Sequence, residues 1–210
     1  MISANDVSKL REETQAPVME CKRALEEAQG DFEKAKLILK KKGEMRAEKK
    51  QESNTSSGII ESYIHANNKV GVLIELRCET DSVAHNPDFK VLAHDLAMHI
   101  AAMNPQFISR DYIAPDIIHH KKEEHLKNYL KEKELEKINK SSDETNQEEI
   151  SQEEIDKEVQ DRLEKELQEI CLLEQAFIKD ETKKIADLLK EATAKFGEKI
   201  EIGHFCRFQI

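Results

Sequence analysis

Apolar residues recur at helical spacing over the first 43 residues, switch to a period of two from Gly58, and return to helical spacing after Pro87. The opening stretch predicts three short helices. Ser3 caps the first, which has Val7 and Leu10 on one face. Pro17 breaks that run and fits the first turn of the second helix, where a missing N–H costs nothing. The second helix sets Val18, Cys21 and Leu25 on one stripe. Gly30 ends it and Asp31 caps the third, with Phe32, Ala35, Ile38 and Leu39 facing inward. The lysine run 40–42 before Gly43 suits a helix C-terminus. A bundle this small lies near the lower size limit for independent folding.

The charged stretch 44–51 and the polar run 53–57 predict a linker. From Gly58, Ile60, Ser62, Ile64 and Ala66 alternate with Ile59, Glu61, Tyr63 and His65. Asn67, Asn68 and Lys69 make a turn, and a second strand over 70–78 carries Val72, Ile74 and Leu76 on one side. A helix starts near Asn86 and Pro87 and buries Phe89, Leu92, Ala93, Leu96, His99, Ile100 and Met103. Asn104 and Pro105 end it, and 106–108 is a short extended piece. Two longer helices follow, over about 116–139 and 152–173. The first includes Leu126, Tyr129 and Leu130; the second has Ile155, Val159, Leu163, Leu167 and Ile170 on one face. The polar stretch 139–149 between them predicts a mobile tip of an antiparallel helical hairpin. A helix over about 182–195 and a strand over 200–210 complete the pattern.

The predicted fold class is therefore α+β. It has a three-helix module over 1–45, a linker over 46–57, and a core hairpin and helix over 58–115. A projecting helical hairpin occupies 116–173, and a helix and strand over 174–210 complete the antiparallel core. With only 6 Gly and 4 Pro, a turn-rich all-β fold does not fit.

Charge narrows the function. The net charge of −10 is concentrated: 141–181 holds fifteen acidic and four basic residues, whereas 1–50 holds ten acidic and twelve basic. Such a chain is poorly suited to neutralising phosphates, so no nucleic-acid partner is expected. The acidic stretch reads as a solvated helix and loop. Cys21, Cys78, Cys171 and Cys206 form no CxxC pair and read as free thiols, Cys21 as a buried bundle residue. No window is long and apolar enough to span a membrane, and the first six residues resemble no targeting segment. A cytoplasmic location is the expectation.

Candidate chemistry is sparse. Asp95 and His99 have metal-ligand spacing, but no third ligand accompanies them. His119, His120 and His125 fit a solvated helical face. No Gly-rich phosphate loop and no acid–base or nucleophile constellation is evident, so no metal, cofactor or enzymatic activity is expected. Thr80 and Asp81, following a strand, suit a helix cap.

Ordered motifs add more. L-R-E-E-T over 10–14, followed by V-M-E-C-K-R-A-L over 18–25, resembles the N-terminal signature of the elongation factor Ts family, and Q-G-D-F-E-K-A over 29–35 continues it. C-E-T-D-S-V-A over 78–84 is similar to the family's second signature, usually C-E-T-D-F-V-A. L-E-Q-A-F-I-K-D over 173–180 resembles its L-x-Q-P-F-V-K-D segment, and F-C-R-F over 205–208 resembles its C-terminal strand. Each motif is modest evidence alone; their order and spacing across nearly the whole chain argue against accident.

The resemblance implies a ubiquitin-associated-like N-terminal module, a linker and an α+β core. It implies an exchange factor that binds elongation factor Tu and releases its GDP, so that GTP can rebind. Partner contacts would fall on Arg11, Val18 and Met19 and on Thr80, Asp81, Ser82 and Val83. In the family, such contacts displace elements around the magnesium and phosphate sites. The factor must then prefer the nucleotide-free state, and nucleotide must expel the factor.

Three positions depart from the family pattern. Gln15 replaces a Gly, and Val18 with Met19 replaces two Met residues while keeping an apolar contact. Ser82 replaces an aromatic wedge with a small polar group, so exchange is weaker or Val83 and His85 take over the wedging. The alternatives are a factor that binds elongation factor Tu but exchanges slowly, a non-exchange helical interaction protein, or a nucleotide hydrolase. One hairpin–helix unit resembles the family's short form. Its open sheet favours a homodimer through the C-terminal strand near Cys206.

Overall fold

A computed structural model describes residues 2–14, 16–50, 52–139 and 151–210. In chain order the elements are α1 (Ala4–Thr14), α2 (Val18–Glu27), α3 (Phe32–Lys50), β1 (Ser57–Ile64), β2 (Val70–Cys78), the one-turn α4 (Asp81–Ala84) and α5 (Pro87–Met103). There follow α6 (Pro115–Asn139), α7 (Gln152–Ile170), β3 (Ala176–Phe177), β4 (Asp180–Lys184), α8 (Ile185–Phe196) and β5 (Glu201–Gln209). The fold is α+β. Expectations for Gln15 and for the tip over 139–149 fall on, or extend into, residues outside those described.

The chain divides into two compact units, 1–104 with 176–210, and 105–175. In the first, α1, α2 and α3 enclose Leu10, Cys21, Leu25, Ala35 and Leu39. Their termini follow local chemistry. Ser3 Oγ accepts the Asp6 N–H at 3.1 Å, and Asp31 Oδ1 accepts the Lys34 N–H at 3.1 Å. Pro17 sits at the N-cap of α2, and its carbonyl accepts from the N–H groups of Glu20 and Cys21.

The sheet has order β1-β2-β5, with both pairings antiparallel and β2 central. Val72, Ile74 and Leu76 of β2 are buried on the face that meets α5, where Phe89, Leu96 and Ile100 are also fully buried. Each such side chain contributes on the order of 2 kcal/mol by leaving water. Asn86 caps α5 by accepting the Asp88 N–H at 2.9 Å, and Pro87 occupies the first turn. Met103, expected in the stripe, is instead exposed, and Ala97 and Ala101 are buried.

Two further expectations are corrected. α3 does not stop near Gly43 but continues to Lys50. One glycine costs a helix only about 1 kcal/mol, and here it allows close approach: a Cβ at Gly43 would lie 2.9 Å from Ala194 Cβ on α8. The segment around 182 is not helical; Asp180 Oδ1 accepts both the N–H and the hydroxyl of Thr182, and β4 pairs with β3. Helix α8 begins only at Ile185.

In the second unit, α6 packs against α7, and Ile113, Leu163, Leu167, Ile170 and Cys171 form the core. Ser151 and Glu154 cap α7 reciprocally. Arg110 grips Glu164 and Glu174, which raises its pKa, Glu174 contributing most. His125, expected on a solvated face, meets Glu166 at 2.7 Å instead.

Candidate functional site

The end of β2 is tied down on three sides. Cys78 is buried, which pushes its thiol pKa up, and its Sγ donates to the Thr80 carbonyl at 3.2 Å. The next residue, Glu79, accepts the Lys199 backbone N–H at 2.6 Å and the Lys50 ammonium at 2.8 Å. These two donors, the Lys199 amide first, hold its carboxyl below the usual carboxylate range. The carboxylate of Glu198 accepts the N–H groups of Glu79 and Thr80 at 3.1 and 3.0 Å and the Thr80 hydroxyl at 2.6 Å.

Thr80 is extended, with φ −130° and ψ 155°, and α4 starts directly after it. Its hydroxyl does not cap α4, contrary to the expectation for a Thr at that position, because Glu198 accepts it. Asp81 and Ser82 face outward, and the Ser57 hydroxyl donates to Asp81 Oδ1. Val83 and Ala84 are buried where α4 packs on β1 and β2. Val83 therefore anchors the turn and offers no exposed wedge; His85 is exposed, with its Nδ1 2.7 Å from the Asp81 carbonyl.

Arg11 lies on α1 of the bundle, and Val18 and Met19 lie on α2. Arg11 is exposed, and Val18 and Met19 are 45% and 58% exposed at the start of α2. Cys21 beneath them is buried, and its Sγ donates to the Ala16 carbonyl at 3.5 Å. Helix α3 connects α2 to the strand exit. Arg46 pairs with Glu20 of α2 and donates to the Ala194 carbonyl of α8 at 3.5 Å. One turn later, on the same face, Lys50 reaches Glu79.

Sequence inspection missed Lys50, Ser57, Glu79 and Glu198 as supports. Glu198 lies 118 residues from Thr80, and no local pattern marks such a partnership. The Asp95–His99 pair also has another use. Lys179 pairs with Asp95 at 2.6 Å, and His99 Nδ1 accepts the Ile178 N–H at 3.3 Å, so α5 holds the β3–β4 hairpin. Among the described residues, no group of three or more His, Cys, Asp or Glu is placed to hold a metal, and no helix is long and apolar enough to cross a membrane.

The family model described as Elongation factor TS matches residues 4–210. Curated proteins named Elongation factor Ts are similar over the whole chain. That of Thermosipho melanesiensis is 43% identical, with 100% of this chain and 99% of the relative covered. Those of Thermodesulfovibrio yellowstonii and Fervidobacterium nodosum are 47% and 45% identical, with 100% of this chain covered and 96% and 98% of the relatives. Arg11, Val18 and Met19, and Thr80 to Ser82, all fall inside the matched span. Similarity of this strength over both full lengths makes the chain a member of the elongation factor Ts family, a translation elongation factor.

Proposed function

We propose that the chain is a guanine-nucleotide exchange factor that binds elongation factor Tu in its GDP form and promotes GDP release, without chemistry of its own. The observation that carries this is the braced turn: Asp81 and Ser82 point outward above buried Val83 and Ala84, at the position of the family's second signature. A rigid projection can push on a partner without yielding, which a frayed turn cannot. Arg11, Val18 and Met19 supply a second docking surface, apolar and basic. Thr80 orients the turn, and Val83 supports it from below.

Ser82 sets the strength of the lever rather than its existence. A non-exchange interaction protein is not favoured, because the full-length relatives all carry the factor's name. By linkage, the factor stabilises the nucleotide-free GTPase, and nucleotide drives it off. Excess GDP should therefore dissociate the complex on a sizing column; a complex equally tight with and without GDP would contradict exchange.

A second copy of the chain is the proposed occupant of the outer sheet face. Ile60, Ile64, Leu73 and Phe208 are exposed there, and register places Leu73 beside Cys206 and Gly71 beside Phe208. Strand β5 is an edge strand, so its outer backbone groups lack a strand partner in the sheet. A two-fold pairing would cover the apolar face and the edge together. The proposed location is the cytoplasm, where the translation machinery works.

A further inference from the structure

We propose that Glu198 is a positioning residue for exchange: its carboxylate sets the direction in which the Asp81–Ser82 turn meets the GTPase. The proposal rests on the exchange function proposed above. Three donors converge on this one side chain. Oε2 takes the N–H groups of Glu79 and Thr80, at 3.1 and 3.0 Å, and Oε1 takes the Thr80 hydroxyl at 2.6 Å. Two successive backbone N–H groups on one oxygen fix both peptide planes, and bonds to a charged acceptor are the stronger kind.

The turn needs an external support. Helix α4 has four residues, too few to hold its own direction, and the Thr80 side chain does not cap it. The carboxylate of Glu198 instead holds the two backbone N–H groups that lead into the helix. Its own placement follows from Gly197, which ends α8 in the left-handed conformation at φ 74° and donates to the Thr193 carbonyl at 2.9 Å. A side chain at Gly197 would be strained there, so the glycine both stops the helix and aims the next residue. Lys199 then returns the contact by donating its N–H to Glu79 at 2.6 Å. The two segments thus exchange backbone-to-carboxylate bonds in both directions, and Lys50 joins α3 to the same knot.

The test uses the full chain and its cognate elongation factor Tu loaded with fluorescent GDP. Glu198→Ala, which removes all three bonds, should lower the maximal release rate about tenfold, a barrier change of about 1.4 kcal/mol. The factor concentration giving half-maximal release should move less than about twofold, because Arg11, Val18 and Met19 are untouched. Glu198→Gln, which keeps an acceptor oxygen for the two N–H groups, should recover most of the rate. Amide exchange should quicken at Glu79 and Thr80 in Glu198→Ala while Ile74 in β2 stays protected. A Glu198→Ala factor with the wild-type maximal rate overturns the proposal alone. So does a loss in both variants that merely tracks their melting temperatures, since that marks a structural role. A wild-type factor that leaves GDP release unchanged removes the exchange function, and this proposal with it.

Discussion

Glu79 and Lys199 are joined by a 2.6 Å hydrogen bond from the Lys199 backbone N–H to the Glu79 carboxylate. This bond ties the exit of β2 to the start of the strand beside it, and the Lys50 ammonium meets the same carboxylate at 2.8 Å. One side chain thereby connects the helical bundle, the central strand and the C-terminal strand. The turn over Asp81–Ala84 follows directly from that connection.

Acid should loosen it. The Glu79 carboxyl lies below its ordinary pKa when folded, so its stabilisation is fully present above the unfolded value and is lost as pH falls through the folded value. Wild type should exceed Glu79→Gln in stability by about 1 kcal/mol at neutral pH, and the gap should close progressively below about pH 5. Urea unfolding at several pH values measures this. A gap that is constant with pH would show that the carboxylate charge is irrelevant.

Gly43→Ala sets two effects against each other. Alanine favours a helix interior by about 1 kcal/mol, but its Cβ would lie 2.9 Å from Ala194 Cβ, and overpacking costs about 1–3 kcal/mol. The clash should win, with a net loss of about 1 kcal/mol in thermal unfolding, and Ala194→Gly should restore the loss. A more stable Gly43→Ala protein would mean that α3 and α8 separate without cost.

These two sites show how much the sequence made legible. The strands β1 and β2, the cap and proline of α5, and the apolar face of α7 follow from spacing and local chemistry, which act within a few residues. Leu10, Cys21 and Leu25 were readable as bundle core for the same reason. The exposed positions of Asp81 and Ser82 suit the contact role that the family motif suggested. By contrast, the extension of α3 past Gly43 depends on Ala194, and the Thr80 hydroxyl is drawn away from α4 by Glu198. Both partners are distant in sequence. Burial of Val83 is likewise a consequence of how α4 seats on the sheet, which no local pattern marks. The β3–β4 hairpin was hidden because Asp180 turns the chain locally while His99 and Asp95 fix it from afar.

The outer sheet face gives a prediction about assembly. Wild type should elute as a dimer at micromolar concentration, and Leu73→Glu, which places a charge in the middle of that face, should elute as a monomer. Gel filtration with light scattering decides it. A monomeric wild type would remove the second copy from the proposed partners.

Ser82 is the simplest lever to lengthen. It is exposed on a supported turn, so Ser82→Phe should fold normally and add apolar surface toward the partner. Maximal GDP release should rise roughly three- to tenfold, a barrier change of about 1 kcal/mol. An unchanged or slower rate, measured at saturating factor, would mean that this chain moves its partner by another contact.

The most direct measurement is stopped-flow release of a fluorescent GDP from the cognate elongation factor Tu, with and without this chain. Wild type should accelerate release in a saturable way, and Met19→Ala and Asp81→Ala should each weaken the acceleration. Release at the spontaneous rate in the presence of saturating wild-type factor would contradict the exchange function outright.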